Sequence, residues 1–506
     1  MIDLIILVIL IAIFPIFSLL KKGKYIQLII LVILIALLFL LYNNYTLSNF
    51  FYFGIDLQFY HFYFSLLLFS ISVFVYLFSF YYIKENLKEF YLLFSSFITS
   101  MFFFIVSPSL IQLLVFWELM TAISFLLIDF YKDKESYFSS IKAYSFTYVG
   151  DLALLIFVSY FIAKGIFLIS EISYIPLLIQ IILIIGVISK GAQFPFTGWL
   201  TDAMIAPTPV SALLHSATMV VAGAFLLIIF SKLLTIFPIV LVIVYLNIAI
   251  TSFLAAFESN IKKINAYYTS STISTIIITS LINPFLSFLY LINHAFYKVS
   301  LFVIAGKEKL KYNELDIYKL RQKTYSLGEI IAIFINSLFL ADFIPSVGYS
   351  IHSIYFNSIY WIPLDFIVTF SAFKFLFTRF HKRKGSFDKF DILAILLIIF
   401  SFSVYPFIKF EINYSIIVQI LALVLAFFLF YLRNVKLSKT LEIYRFIANR
   451  INVNFFGKAL ELITKSKSYL QMYYSDFSYK IDNSLSKYLV YLTVTIITVL
   501  LLSIIV

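Results

Sequence analysis

Cysteine is absent from the 506 residues. That excludes disulfides, cysteine-ligated iron–sulfur clusters and cysteine-based structural zinc on this chain. Charge is scarce as well, at 12% of residues. No G-x-G-x-x-G and no Walker-type glycine–lysine motif occurs, so no nucleotide or flavin cradle is expected. The expected cofactor set on this chain is therefore none. Hydrophobic residues make up 63% of the sequence and mean hydropathy is +1.03, too apolar for a soluble domain. Runs of about twenty apolar residues recur, each long enough to cross a hydrocarbon core of about 30 Å. The alternating, shorter segments of a membrane β-barrel do not appear. The expected fold is an all-α polytopic membrane protein with about sixteen spans.

The net charge of +12 raises the question of a nucleic-acid partner. Its distribution answers in favour of a membrane. Lysines and arginines gather in odd-numbered connections, including the groups 307–323, 379–389 and 433–487 and the pair Lys262–Lys263. Even-numbered connections hold only Lys164, Lys232 and Lys409. The bias places odd connections in the cytoplasm and both termini outside, in a prokaryotic cell membrane. The partner implied is the lipid bilayer, with no nucleic acid. Residues 1–20 lack a basic leader and a cleavage site and read as a first span.

The chain divides into spans 1–3 (1–89), two five-helix units (90–232 and 236–380), two further spans (390–432), a long basic connection (433–485) and a last span (486–506). In the connection Arg450, Asn454, Lys458, Glu461 and Lys465 recur at helical spacing without proline. That pattern predicts an amphipathic helix lying laterally on the membrane surface. The alternative is a solvated basic loop. Pro195 and Pro345 interrupt apolar segments beside Lys190 and Asp342. Matching interruptions in two halves point to inverted repeats with broken helices and a transport site between them.

Ionisable residues inside apolar runs are costly and need partners or water. Glu118 stands in LLVFWELMTAISFLL and Lys190 ends another apolar run. A carboxylate that moves relative to a buried lysine changes its proton affinity, so the two read as a switchable pair. A purely structural ion pair is the alternative. His215 alone reads equally as a satisfied core histidine. His294 and Lys298, four residues apart, share one helix face with Tyr290 and form a titratable stripe. Asp151 reads as a capping or interface residue as readily as a transport residue. Lys374, near a span end, reads as a relay or as a snorkelling lysine. His61, His352 and His381 lie near span ends and carry no assigned role.

The segments FWELMTAISFLLIDF, YVGD, SKGAQFPFTGWLTDAMIAPTPVSALLHSATMVVAG and NHAFYKVSLFVIAG resemble the antiporter-like subunits of respiratory complex I. That family is related to Mrp-type sodium/proton antiporters and membrane-bound hydrogenases. The resemblance runs from about Phe53 to Lys384, and the long C-terminal connection is similar to the subunit L type. It implies proton translocation as a membrane subunit of a donor:quinone oxidoreductase, beside M- and N-type subunits. It also implies Glu118–Lys190 as the key ion pair, His215 as a bridge, and His294 and Lys298 as the second relay. An Mrp-type antiporter, a hydrogenase module, a bicarbonate-uptake partner and a structural subunit with a decayed pump are the alternatives. Three positions depart from the family pattern: Tyr148 replaces an arginine, Tyr290 a histidine, and Ala341 the exit lysine. With the exit lysine gone, Asp342 and Lys374 are the candidates for its role.

Overall fold

A computed structural model describes residues 2–41, 48–50, 53–343, 346–355, 359–379, 387–408 and 415–432. Nineteen α-helices occur among them. The first six are α1 (Ile2–Ile13), α2 (Gly23–Leu41), α3 (Phe59–Tyr82), α4 (Leu87–Ile105), α5 (Leu110–Ile128) and α6 (Lys134–Ile162). Then come α7 (Leu177–Lys190), α8 (Thr197–Asp202), α9 (Thr208–Ser216), α10 (Met219–Phe230), α11 (Phe237–Phe257) and α12 (Ile261–Ile282). The remainder are α13 (Pro284–Tyr312), α14 (Ile317–Leu320), α15 (Leu327–Leu340), α16 (Val347–Tyr355), α17 (Ile362–Phe377), α18 (Lys389–Ser401) and α19 (Ser415–Ala426). A short antiparallel hairpin pairs β1 (Ser48–Phe50) with β2 (Phe53–Ile55). All described residues fall in one compact unit, Met1–Val435.

Nine helical segments among the described residues are long and apolar enough to span a bilayer, α9 and α10 together counting as one, and four apolar helices are shorter. The chain is thus helical and membrane-integral, as its composition predicts. α13 is buried along nearly its whole length, whereas α2, α11 and α19 leave Val32, Val242 and Ile417 exposed. In an apolar solvent such exposure carries no penalty, so these helices line the rim and α13 the centre. The amphipathic connection and the last span lie outside the described residues, as do Pro345 and His381.

Helix order and spacing recur along the chain. Helices α4, α6 and α7 begin at 87, 134 and 177; α11, α13 and α15 begin at 237, 284 and 327, each 150 residues later. Both α6 and α13 have 29 residues, and both α7 and α15 have 14. Even their terminations match. Ala192 and Asp342 adopt left-handed backbone, φ 52° and 45°. Behind them Gln193 N donates to Ile188 O at 2.8 Å, and Phe343 N to Leu338 O at 3.0 Å. This is the six-to-one bond that closes a helix C-terminus. The break near Pro195 is therefore set at Gly191–Ala192, before the proline arrives.

A broken helix within apolar surroundings must find partners for its freed backbone groups. Asn247 of α11 supplies them: its Oδ1 accepts from Phe194 N at 2.7 Å, and its Nδ2 donates to Gln193 Oε1 at 3.0 Å. Ser270 of α12 donates to Ala192 O at 2.7 Å.

Two spans differ from the expectation. The run 208–232 is two helices, because Ala217 and Thr218 leave helical backbone between α9 and α10. Thr218 Oγ1 satisfies the freed Leu213 carbonyl at 2.6 Å. Over the run 355–380 the long helix starts only at Ile362, and α16 precedes it as a separate segment. No proline marks the first break, and the second is followed by Pro363 in the first turn of α17.

Candidate functional site

Side chains from α5, α6 and α7 build the first group. Gly150 of α6 lies so close to α7 that an added Cβ would sit 2.9 Å from Ser189 Oγ and 3.0 Å from Gly186 O. Ser189 Oγ accepts from Gly150 N at 3.0 Å and donates to Phe146 O at 2.7 Å. That tight crossing brings the next residue, Asp151, against Lys190. Lys190 Nζ lies 2.8 Å from Asp151 Oδ1, and both side chains are fully buried. The ammonium also donates to Thr121 Oγ1 and, at 3.2 Å, to Trp117 O, and it sits 4.5 Å from the centre of the Trp117 ring.

Asp151, and not Glu118, is the carboxylate in direct contact with Lys190. Glu118 is half-buried on α5 and forms no direct ion pair among the described residues. The reason is packing: the glycine-lined α6–α7 contact lets Asp151 reach the ammonium first. Asp151 is accordingly neither a helix cap nor left without a cation by Tyr148; Asp133 caps α6. One oxygen of Asp151, Oδ2, has no hydrogen bond.

The second group sits where the α9–α10 break meets α12 and α13. His215 Nδ1 lies 3.2 Å from Thr269 Oγ1, and its Nε2 is buried without a partner. His294 Nε2 lies 3.1 Å from His215 O, a carbonyl in the last turn of α9. Lys298, one turn further along α13, points the same way. Its Nζ donates weakly to Asn265 O at 3.4 Å and lies between the rings of Tyr268 and Tyr297, 5.8 and 5.4 Å away. His215, His294 and Lys298 are all fully enclosed by the bundle. Asn265 leaves both side-chain polar atoms unpaired beside them. Unpaired buried polar atoms are the places where bound water is expected.

A third group surrounds the α15–α16 break. Tyr290 donates to Asp342 Oδ1 at 2.7 Å, and His352 Nε2 lies 4.0 Å from Asp342 Oδ2. The other ring nitrogen of His352 lies 2.9 Å from Asp365 Oδ1 on α17. Gly348 makes the room: a Cβ there would fall 1.6 Å from Asp342 Oδ1. His352 and Asp365 escape a sequence reading, because a histidine at a helix end and an acid in a first turn are ordinary. Tyr290 belongs to the predicted stripe, now as the donor that holds Asp342.

Two lysines cap broken ends instead of reaching solvent. Lys374 is buried and donates to Ala256 O at 2.7 Å and Glu258 O at 2.6 Å, at the end of α11. It does not snorkel. Lys262, grouped in sequence with a solvent-facing connection, is buried in the first turn of α12 and donates to Met204 O and Ala206 O, both at 2.6 Å. In both cases the ammonium satisfies helix-end carbonyls that apolar surroundings would leave bare. No cluster suited to a metal ion occurs among the described residues.

Comparison with known proteins adds the family. Residues 107–378, more than half of the chain, match the transmembrane family of NADH:quinone oxidoreductase and Mrp antiporter proteins. NADH-quinone oxidoreductase subunit L of Buchnera aphidicola is 28% identical over 464 residues, covering 81% of this chain and 74% of that one. NADH-ubiquinone oxidoreductase chain 5 of Locusta migratoria is 35% identical over 235 residues, 44% of this chain and 41% of that one. A putative antiporter subunit of Staphylococcus aureus is 36% identical over 281 residues, 48% and 35% of the two chains. The match to the chain 5 relatives from Locusta migratoria and Ascaris suum spans less than half of their length. Among solved structures, the Mrp complex of a Dietzia species shares the fold at TM-score 0.72 and 18% identity, over 91% of this chain and 59% of that one. An archaeal membrane-bound sulfane sulfur reductase does so at 0.68 and 17%, over 85% and 99%. The protein belongs to the NADH:quinone oxidoreductase/Mrp antiporter transmembrane family.

Proposed function

We propose that the chain translocates protons as an antiporter-like subunit, of the subunit L type, in a complex I-like donor:quinone oxidoreductase. The observation that carries the reading is the fully buried Lys190 ammonium clamped by Asp151, with the unpaired Glu118 carboxylate on the adjoining helix. A buried lysine with two possible carboxylate partners has two charge arrangements. Switching between them moves its proton affinity, which is what a driven pump requires. Water joining the unpaired atoms of His215 and Asn265 carries protons between Lys190, His294 and Lys298 in this scheme, and Asp342 passes them outward.

The 150-residue recurrence of helix starts supports two five-helix units, roughly 90–232 and 236–380, arranged as inverted repeats. In this reading about sixteen helices cross a prokaryotic cell membrane, with the basic connections inside and both termini outside. The lateral helix over 433–485 clamps neighbouring M- and N-type subunits. Hydrogen exchange on the assembled complex tests that last element: slow exchange across 436–480 is expected, and exchange as fast as random coil would contradict a helix.

A second reading, a subunit of an Mrp-type cation/proton antiporter, draws on the similarity to the Staphylococcus aureus and Dietzia proteins. Purification of the intact assembly with mass spectrometry of its subunits separates the two. Quinone-pocket and iron–sulfur subunits are expected. A set of antiporter subunits alone would favour the second reading.

A further inference from the structure

Away from the groups above, α13, α15, α17 and α18 bring five charged side chains together at the end of the bundle where α13 and α17 finish and α15 and α18 begin. Lys307 and Glu308 come from α13, Glu329 from α15, Asp391 from α18, and Arg379 follows α17. Each side chain is at most 3% exposed. From the sequence Lys307 and Arg379 count among solvent-facing basic groups; in the structure neither faces solvent.

Their charges do not balance. Three enclosed carboxylates face two enclosed cations among the described residues, and an uncompensated buried charge is strongly disfavoured. Hydrogen bonding ranks how firmly each carboxylate is held. Asp391 is saturated: Oδ1 accepts from Lys307 Nζ at 2.6 Å, and Oδ2 from Ser326 Oγ at 2.6 Å and Asp388 N at 3.0 Å. Glu308 Oε2 accepts from Arg379 Nη2 at 3.2 Å, while its Oε1 has no partner. Glu329 is held least: Oε2 lies 3.1 Å from Lys307 Nζ, an ion pair that Lys307 shares with Asp391 and Asp388, and neither Glu329 oxygen accepts a well-directed hydrogen bond. The remaining neighbours are Tyr325, whose hydroxyl donates to Leu320 O, and Asp388, the cap of α18, which is 39% exposed and 3.4 Å from Lys307. Neither supplies a positive charge.

We propose that Glu329 is a proton-binding site, neutral in the resting protein, which exchanges its proton with the adjoining aqueous face through Asp388. A polar seam leads inward from it. Asn336 follows Glu329 by seven residues on α15, as Ser300 precedes Lys307 by seven on α13, so each pair shares a helix face. Asn336 Nδ2 donates to Ser300 Oγ at 2.9 Å, and Ser300 Oγ to Ala394 O at 3.1 Å. Seven residues further, Asn293 Nδ2 donates to Ser401 O at 3.0 Å. Asn336 Oδ1 and Asn293 Oδ1 are buried without partners, two vacant acceptors along the same seam. Lys298 lies on the opposite side of α13, against α12. The seam is thus separate from the His294–Lys298 relay.

Infrared spectroscopy of the intact complex in lipid tests the proposal. The wild-type minus Glu329→Gln difference is expected to show one protonated carboxylic-acid C=O band that shifts in D₂O. Because glutamine is the neutral isostere, Glu329→Gln should keep the wild-type Tm, while Asp391→Asn lowers it by several degrees. A Tm loss in Glu329→Gln as large as in Asp391→Asn would show an ionised Glu329 and overturn the proposal. So would absence of the band, or its appearance only when sodium is replaced by choline, which would mark a bound metal cation.

Discussion

Replacing Lys190 by methionine is expected to abolish proton translocation and to lower the stability of the assembled complex. The two effects have one cause. The ammonium balances Asp151 in a site from which solvent is excluded, and removing one partner of such a pair strands the other at a cost of about 3–5 kcal/mol. Asp151→Asn should be comparably harmful. The double variant Asp151→Asn/Lys190→Met leaves no stranded charge, so thermal unfolding should show much of the stability restored. Translocation, measured with a pH-sensitive dye in sealed vesicles, should stay absent, because the proton-carrying amine is gone. Recovery of translocation in the double variant would show that the pair is only a structural clamp.

The second large effect concerns the outward step. Ala341 stands where the family resemblance leads one to expect a lysine, and the structure offers two titratable groups nearby. Asp342 is surrounded by groups that exchange protons: the Tyr290 hydroxyl at 2.7 Å and His352, itself 2.9 Å from Asp365. Lys374 is spent on two backbone carbonyls at the end of α11. Asp342→Asn should therefore reduce proton translocation much more than Lys374→Met. Lys374→Met should act chiefly on stability, since two buried carbonyls lose their donor at about 1–3 kcal/mol each. Initial rates of vesicle acidification at matched protein amounts check the order. The reverse ranking would move the outward step to Lys374, and no effect from either would favour a pump that has decayed.

What could be read from the chain beforehand follows from the cost of charge in an apolar run. Lys190, His294 and Lys298 were legible because a titratable side chain in such a run must face protein, and four-residue spacing put two of them on one face. Partnership was not legible. Asp151 reaches Lys190 because Gly150 and Ser189 let two helices approach, a property of packing between segments 39 residues apart. Lys262 and Lys263 are adjacent in sequence, and only the turn that places Lys262 over Met204 and Ala206 tells the buried one from its neighbour. Lys307 and Arg379 raised the same difficulty, since a basic residue past the end of an apolar run reads as solvated. The two helix breaks were legible as proline interruptions, yet the left-handed residues that end α7 and α15, Ala192 and Asp342, carry no such mark.

Proton translocation by the Glu118→Gln variant tests the account most directly. Glu118 lies on the helix that also supplies Thr121 and the Trp117 carbonyl to Lys190, but it is not itself bonded there. Its loss should therefore leave the fold and the Asp151–Lys190 pair intact while removing the alternative partner that makes the lysine switchable. In vesicles carrying the assembled complex, protons moved per donor oxidised should fall sharply while electron transfer continues in part. A wild-type ratio in that variant would contradict the account.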